Sequence, residues 1–109
     1  MLYKCSVCAY THTDDVQTDK CPKCGAPRVS FALLSEAEAN KILSSDRTNE
    51  IHMELTILAT RIKELAEEGI EINLDPPCTD VFAHAQEEAW VIKQRSKAEI
   101  ASHAGRDKW

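Results

Sequence analysis

The feature that most constrains this chain is a set of four cysteines near its start, arranged as two Cys-x2-Cys pairs. Cys5 and Cys8 form the first pair, Cys21 and Cys24 form the second, and twelve residues separate the pairs. A turn of this spacing, called a knuckle below, directs two thiolates to one point, and two knuckles complete a tetrahedron of sulfur that suits zinc or iron. Ordinary buried cysteines would not be expected to form two matched pairs in so short a stretch. The four residues are therefore predicted metal ligands.

The segment that carries these pairs, residues 1–34, is too short to build a stable hydrophobic core alone. Residues 1–31 contain no secretory apolar stretch, so we expect a cytoplasmic protein, in which reductants keep thiols free. The fifth cysteine, Cys78, stands alone far downstream and receives no predicted role. We expect metal binding, not disulfides, to supply much of the folding free energy of this segment, on the order of 10 kcal/mol.

Aromatic residues accompany both knuckles. The first has the sequence Tyr3-Lys4-Cys5-Ser6-Val7-Cys8-Ala9-Tyr10, the second has Cys21-Pro22-Lys23-Cys24-Gly25, and Phe31 follows. This pattern resembles the rubredoxin-like domain of rubrerythrins, in which about a dozen residues separate the two knuckles. The resemblance implies a small β metal ribbon at residues 1–34, with the four cysteines binding one Fe²⁺/Fe³⁺ ion per chain. It implies a one-electron carrier or redox module that serves a partner protein.

Ala9 departs from the family pattern, which commonly places glycine after the second cysteine of each knuckle, as at Gly25. This position often needs a positive φ, where alanine costs roughly 1 kcal/mol or more relative to glycine. Zinc ribbons use the same Cys-x2-Cys spacing without redox chemistry. The alternative function is therefore a binding module with structural Zn²⁺, in which the acidic helices recognise a partner.

Ser35 begins a region of different composition. Residues 35–109 hold nine basic and fifteen acidic side chains, a charge of −6, and are rich in residues that mostly favour helices. Ser35 and Glu38 have the spacing of a capping box, which predicts a helix beginning at Ser35. The polar residues 44–49 favour a break or a second helix cap, with one continuous helix as the alternative. We predict two domains, a rubredoxin-like metal-binding domain at 1–34 and a helical hairpin at 35–109 for oligomerisation or docking.

A heptad-like apolar repeat is the strongest periodic signal in the predicted hairpin. It consists of Ile51, Leu55, Leu58, Ile62 and Leu65, called the aliphatic seam below. The pattern predicts a helix over 48–68 that ends at Gly69, followed by an extended connector over 69–78. A second helix is predicted over 80–104, with Thr79 or Asp80 as its cap.

The second predicted helix has its own apolar stripe, formed by Phe82, Ala85, Ala89 and Ile92. Two helices alone cannot cover both this stripe and the aliphatic seam. We therefore expect a homodimer through the helices, giving a four-helix bundle.

The resemblance to rubrerythrins implies a third function to consider, a di-iron enzyme assembled across a dimer from carboxylates and a histidine of the helices. The candidate ligands are Glu50, Glu54, His84, Glu87 and Glu88. The second helix lacks the Glu-x-x-His sequence typical of such sites, which favours a solvated helix face instead. His84 and Glu88, four residues apart, remain the pair that could join a metal between two chains.

Other functions lack support in the sequence. A net charge of −5 gives no general attraction to nucleic acid or anionic lipid, and the apolar runs are far shorter than the ~20 residues of a membrane-spanning helix. Neither a nucleophile with its base nor a phosphate-binding glycine loop is apparent. We therefore expect an electron-transfer or binding protein, not an enzyme.

The remaining histidines are expected at the surface. These are His12, His52 and His103.

Overall fold

A computed structural model describes residues 1–13 and 18–109. The elements in chain order are β1 (Leu2–Cys5), β2 (Thr11–Thr13), a short 3-10 helix (Arg28–Ser30), β3 (Phe31–Leu33), α1 (Glu36–Ile72) and α2 (Pro76–Gly105). The chain divides into two compact units, Met1–Ser44 and Ser45–Trp109. A small β ribbon followed by helices is confirmed, and association into a four-helix bundle stays a prediction.

The three strands form one antiparallel sheet in the order β2-β1-β3. The central strand, β1, places Tyr3 opposite His12 on one side and Cys5 opposite Phe31 on the other. Of the β1 side chains, those of Leu2 and Cys5 are buried. The sheet thus fixes the first metal-ligand candidate at the end of its central strand.

Helix α1 begins at the predicted capping box. The Ser35 backbone N–H donates to Glu38 Oε2 at 3.2 Å, and the Glu38 N–H donates to Ser35 Oγ at 3.2 Å. The helix continues through residues 44–49 without a break. There the hydroxyl of Thr48 donates to the Ser45 carbonyl oxygen at 2.9 Å, within the same helix. Hydroxyl groups that bond inside the helix in this way need not interrupt it.

The predicted extended connector over 69–78 is wrong, because α1 continues through Gly69 to Ile72. Gly69 does not end the helix. It is buried, and a Cβ at this position would overlap the ring of Phe82. A glycine at this position therefore allows the two helices to approach closely, a requirement of tertiary structure and not of a helix end. Only residues 73–75 connect the helices, and Asn73 turns the chain with a φ of +50°.

Helix α2 begins earlier than predicted. Asp75, not Thr79 or Asp80, is the N-cap, and its side chain accepts a hydrogen bond from the Cys78 N–H at 2.9 Å. Two prolines occupy the first helical positions, where the backbone N–H has no partner within the helix and the fixed φ of proline suits the turn. The prolines therefore start α2, although they had been interpreted as a connector.

Small side chains form the contact between α1 and α2. The buried residues are Ser45, Asn49, Ala59, Ala66 and Gly69 on α1, called the small-residue face below, with Ala89 and Ser96 on α2. The aliphatic seam lies beside this face, and its members are between 38% and 52% exposed. In the predicted α2 stripe, Ala89 is buried but Ile92 is 43% exposed. Among the described residues, no helix has an apolar stretch of the length a membrane crossing requires.

Candidate metal centre

The two knuckles bring four thiols together in the N-terminal unit. The Sγ atoms of Cys5, Cys8, Cys21 and Cys24 all lie within 4.8 Å of one another. Cys5 Sγ is 3.7 Å from Cys24 Sγ, and Cys8 Sγ is 3.4 Å from Cys21 Sγ. A tetrahedral metal with sulfur ligands at about 2.3 Å requires sulfur atoms about 3.8 Å apart, whereas a disulfide requires about 2.05 Å. The four free thiols therefore fit a single metal ion and form a four-cysteine metal-binding site.

The knuckles share one backbone design. The Ala9 N–H donates to the Cys5 carbonyl oxygen at 2.9 Å, and the Gly25 N–H donates to the Cys21 carbonyl oxygen at 2.9 Å. Ala9 has a φ of +67° and Gly25 has a φ of +74°, so both turns pass through the left-handed region. Glycine adopts this conformation freely, but alanine is strained there by roughly 1 kcal/mol. The departure at Ala9 thus leaves the turn intact at an energetic cost.

Backbone N–H groups stabilise the thiolate at the start of each knuckle. Burial acts to raise the pKa of Cys5, but hydrogen bonds from the backbone N–H groups of Cys8 and Val7, together with those from the Cys24 and Cys8 thiols, lower the pKa overall. At Cys21, burial again acts to raise the pKa, and the equivalent N–H groups of the second knuckle lower it to about 6. Such N–H donors favour the charged form of sulfur, which is the form that binds a metal.

Cys24 differs from the other thiols of the site. A hydrogen bond from the Ala26 N–H favours its thiolate, but desolvation and the neighbouring thiols of Cys21, Cys8 and Cys5 raise its pKa to about 12. Cys24 therefore keeps its proton at neutral pH when no cation is bound. A bound metal ion must displace this proton, since cysteine coordinates as the thiolate.

Aromatic rings adjoin the site on the sheet. The Tyr3 ring stacks on His12 with centroids 5.5 Å apart, and His12 meets Phe31 edge to face at 4.6 Å. Phe31 also meets Tyr10 at 6.5 Å, and the Tyr10 carbonyl oxygen accepts the Cys5 N–H at 2.8 Å. The expected surface position of His12 is thus wrong, because its half-buried ring lies between two others. Apolar rings packed around a sulfur site in general restrict the access of water to it.

The structure does not bring the di-iron candidates together within one chain. Glu50, Glu54, His84, Glu87 and Glu88 are all exposed, and the described residues contain no metal-compatible cluster besides the four cysteines. The Asp80 backbone carbonyl, 3.0 Å from His84 Nδ1, and the Asp80 carboxylate raise the pKa of His84. Cys78 lies in the first turn of α2 and does not belong to the cysteine cluster.

Two histidines expected at the surface lie at the contact between α1 and α2 instead. The rings of His52 and His103 are 6.3 Å apart, and His103 Nδ1 is 2.6 Å from Asn49 Oδ1. Asn49 Nδ2 also donates to the Lys108 carbonyl oxygen at 2.7 Å. His52 lies beside the small-residue face, whose members are small or polar, so apolar periodicity carries no signal for its position.

Comparisons with known proteins support the assignment of the N-terminal unit and give no match for the helices. No match to the chain was found among curated proteins or among solved structures. Residues 3–32 match the family model of the rubrerythrin rubredoxin-like domain, a range that includes both knuckles and Phe31. The resemblance derived from the sequence is confirmed. The chain therefore combines a segment similar to the rubredoxin-like domain of rubrerythrin with a two-helix region that has no family match.

Proposed function

We propose that the N-terminal unit holds one iron ion per chain and acts as a one-electron carrier or redox module. The observation that carries this proposal is the convergence of four thiols within 4.8 Å in a segment that matches a rubredoxin-like family model. Iron held by four thiolates exchanges a single electron between its ferrous and ferric states. A protein that performs this exchange needs no substrate pocket.

The chain shields one side of the site and exposes the other. Cys5 is 1% exposed and Cys21 is 3% exposed, whereas Cys8 is half-buried and Cys24 is exposed. Electrons would therefore enter and leave at the edge formed by Cys8 and Cys24, where a redox partner protein can approach. The N–H groups that bond to Cys5 and Cys21 neutralise part of the sulfur charge, which raises the reduction potential of such a site.

The first experiment is to measure metal content and the visible absorption spectrum of the full chain, purified without added metal and cycled with a mild reductant. We expect about one iron per chain, since four thiolates complete one tetrahedral site. A thiolate-to-iron charge-transfer band should bleach on reduction and return on oxidation. Colourless protein with one zinc per chain, even after growth in ample iron, would contradict the proposal and support the zinc-binding module, because Zn²⁺ fits the same geometry.

Two cysteine variants provide a matched comparison. Cys8→Ser removes a ligand and should abolish stoichiometric metal binding and unfold the N-terminal unit, whose folding depends on the metal. Cys78→Ser removes a thiol outside the cluster and should leave metal content and spectrum unchanged. Well over one metal per chain, lost in His84→Ala but not in Cys8→Ser, would instead support a di-iron site between two chains.

A further inference from the structure

The aliphatic seam of α1 has no cover within the described chain. Its five members, Ile51, Leu55, Leu58, Ile62 and Leu65, lie on successive turns of one helix face and keep between 38% and 52% of their surface exposed. Isolated apolar side chains are common on protein surfaces, but a continuous stripe of this kind usually marks an interaction site. The metal-binding role of the N-terminal unit does not explain this stripe.

Helix α2 contacts other faces of α1. Gly69 packs against the Phe82 ring of α2, and Asn49 Oδ1 lies 2.6 Å from Nδ1 of His103 on the same helix. On the flank opposite the seam, Lys93 Nζ donates to Thr60 Oγ1 at 2.9 Å, and Lys63 Nζ lies 5.5 Å from the ring centroid of Trp90. These contacts hold α2 away from the seam. Any helix that packs on the seam must therefore come from outside this hairpin.

Charges along the edge of the seam indicate what covers it. Exposed side chains of alternating sign recur there every seven residues, namely Arg47, Glu54, Arg61 and Glu68. With Leu55 and Ile62 at heptad position a, these residues occupy position g, and the opposite edge, position e, includes Ala59 and Ala66 of the small-residue face. A helix that docks on the seam would therefore contact charged side chains along the g edge. In an antiparallel helix pair, g residues of the two helices face each other.

The alternating signs fit a second copy of α1 in one antiparallel register. When Leu55 lies against Leu58 of the second copy, Glu54 lies beside Arg61 of that copy, and Arg47 lies beside its Glu68. Every g residue then meets an opposite charge. A shift by one heptad in either direction places Glu beside Glu and Arg beside Arg, which is unfavourable. The pattern therefore selects both the partner and its register.

We propose that the aliphatic seam docks antiparallel on the same seam of a second copy of this chain, so that two hairpins form a four-helix bundle. Ile51 would then pack against Ile62 of the second copy, and Leu55 against its Leu58. The two-fold axis passes between Leu55 and Leu58. This arrangement covers the stripe that α2 leaves open and does not depend on which metal the knuckles bind.

Sedimentation equilibrium of the full, metal-loaded chain under reducing conditions tests the interface. We expect a dimer, and we expect Leu58→Asp to weaken it about 100-fold or more, because each carboxylate would be buried in an apolar contact. Ile57→Asp is the matched control. Ile57 is the neighbouring residue on α1 and 69% exposed, but it lies off the seam, so its replacement should leave the dissociation constant unchanged. Circular dichroism of both variants establishes that the helices remain folded.

Charge exchange tests the register. Glu54→Arg should weaken the dimer about 5- to 10-fold at low salt, since it places like charges together at two symmetric contacts. Adding Arg61→Glu to that variant should restore the original dissociation constant, because the two positions would again carry opposite charges. In a parallel pair these positions do not meet, and no restoration would occur.

Three results would overturn the proposal. A chain that sediments as a monomer throughout the micromolar range would show that no second copy covers the seam. An equal loss of the dimer in Ile57→Asp and Leu58→Asp would place the interface elsewhere. Failure of the double charge exchange to recover the dimer would exclude the antiparallel register.

Discussion

At the scale of single residues, the two knuckles provide an internal comparison between alanine and glycine in one backbone conformation. Ala9 and Gly25 have φ values of +67° and +74°, and both follow the second cysteine of their knuckle. A Cβ at Gly25 would have no heavy atom within 4 Å, so side-chain crowding is absent there. The two positions differ mainly in the strain of the backbone itself. The spacing of the cysteines predicted the ligand set, and the positive φ of the turn explains why alanine at position 9 carries an energetic cost.

Exchanging these two residues should change stability in opposite directions. Ala9→Gly should stabilise the metal-loaded N-terminal unit by about 1 kcal/mol, and Gly25→Ala should destabilise it by a similar amount. Metal loss to a chelator during titration measures both, because folding and metal binding are coupled in so small a unit. Equal and same-sign effects of the two substitutions would show that backbone strain is not what separates them.

The pH dependence of metal binding should reflect the proton on Cys24. Because its pKa is raised to about 12, Cys24 is protonated without a metal at neutral pH, whereas Cys21, lowered to about 6, is mostly ionised. A metal ion must displace the Cys24 proton, so a higher pH favours binding. Between about pH 7 and 8, affinity should rise roughly tenfold or more, with at least one proton released per ion. Calorimetry in buffers of different ionisation enthalpy counts these protons, and a pH-independent affinity would contradict the assignment.

At the scale of elements, local signals in the sequence predicted more than long-range ones. The capping box at Ser35 was correct because both of its partners lie within the first turn. The predicted end of α1 was wrong because a glycine commonly marks a helix C-terminus. Gly69 instead lies inside the helix, where the absence of a side chain leaves room for the ring of Phe82 on the other helix. The start of α2 had a local signal, an Asp followed by two prolines, but these residues fell within the predicted connector over 69–78.

The cap of α2 can be tested by replacing Asp75. Asp75→Ala removes the acceptor of the Cys78 N–H and should destabilise the helical unit by about 1 kcal/mol in urea unfolding. Asp80→Ala is the control, since Asp80 was the alternative cap in the sequence but lies inside the helix. We expect its effect to stay below about 0.5 kcal/mol. A larger effect at Asp80 than at Asp75 would contradict the observed cap.

Gly69 offers a second test at this scale. Alanine normally favours a helix over glycine by about 1 kcal/mol, yet Gly69→Ala should destabilise the hairpin because the new Cβ would overlap the Phe82 ring. Gly105→Ala, near the end of α2, adds a Cβ with no heavy atom within 4 Å and should be neutral or stabilising. Thermal unfolding of the two variants compares them directly. A higher melting temperature for Gly69→Ala would show that the helices are not so closely packed there.

At the scale of the whole molecule, the sequence predicted two kinds of structure but not how the helices share their surfaces. The ribbon followed from cysteine spacing, and the aliphatic seam followed from heptad periodicity. The small-residue face could not be recognised by apolar periodicity, because Ser45, Asn49 and Ala59 add little hydrophobic signal. His52 and His103 were misplaced for the same reason. The identity of the metal depends on chemistry that tetrahedral spacing does not encode, since iron and zinc accept the same ligands.

The small-residue face has a consequence for the abundance of the folded protein. Alanine, serine and glycine bury little apolar area, so one hairpin gains little free energy from its own closure. If the seam supplies the remainder through a second copy, mass action links folding to total protein concentration. The melting temperature should then rise measurably with each tenfold increase in concentration, as scanning calorimetry can record. Dilute chains would expose their helices to proteases, and the amount of protein present would itself regulate its lifetime.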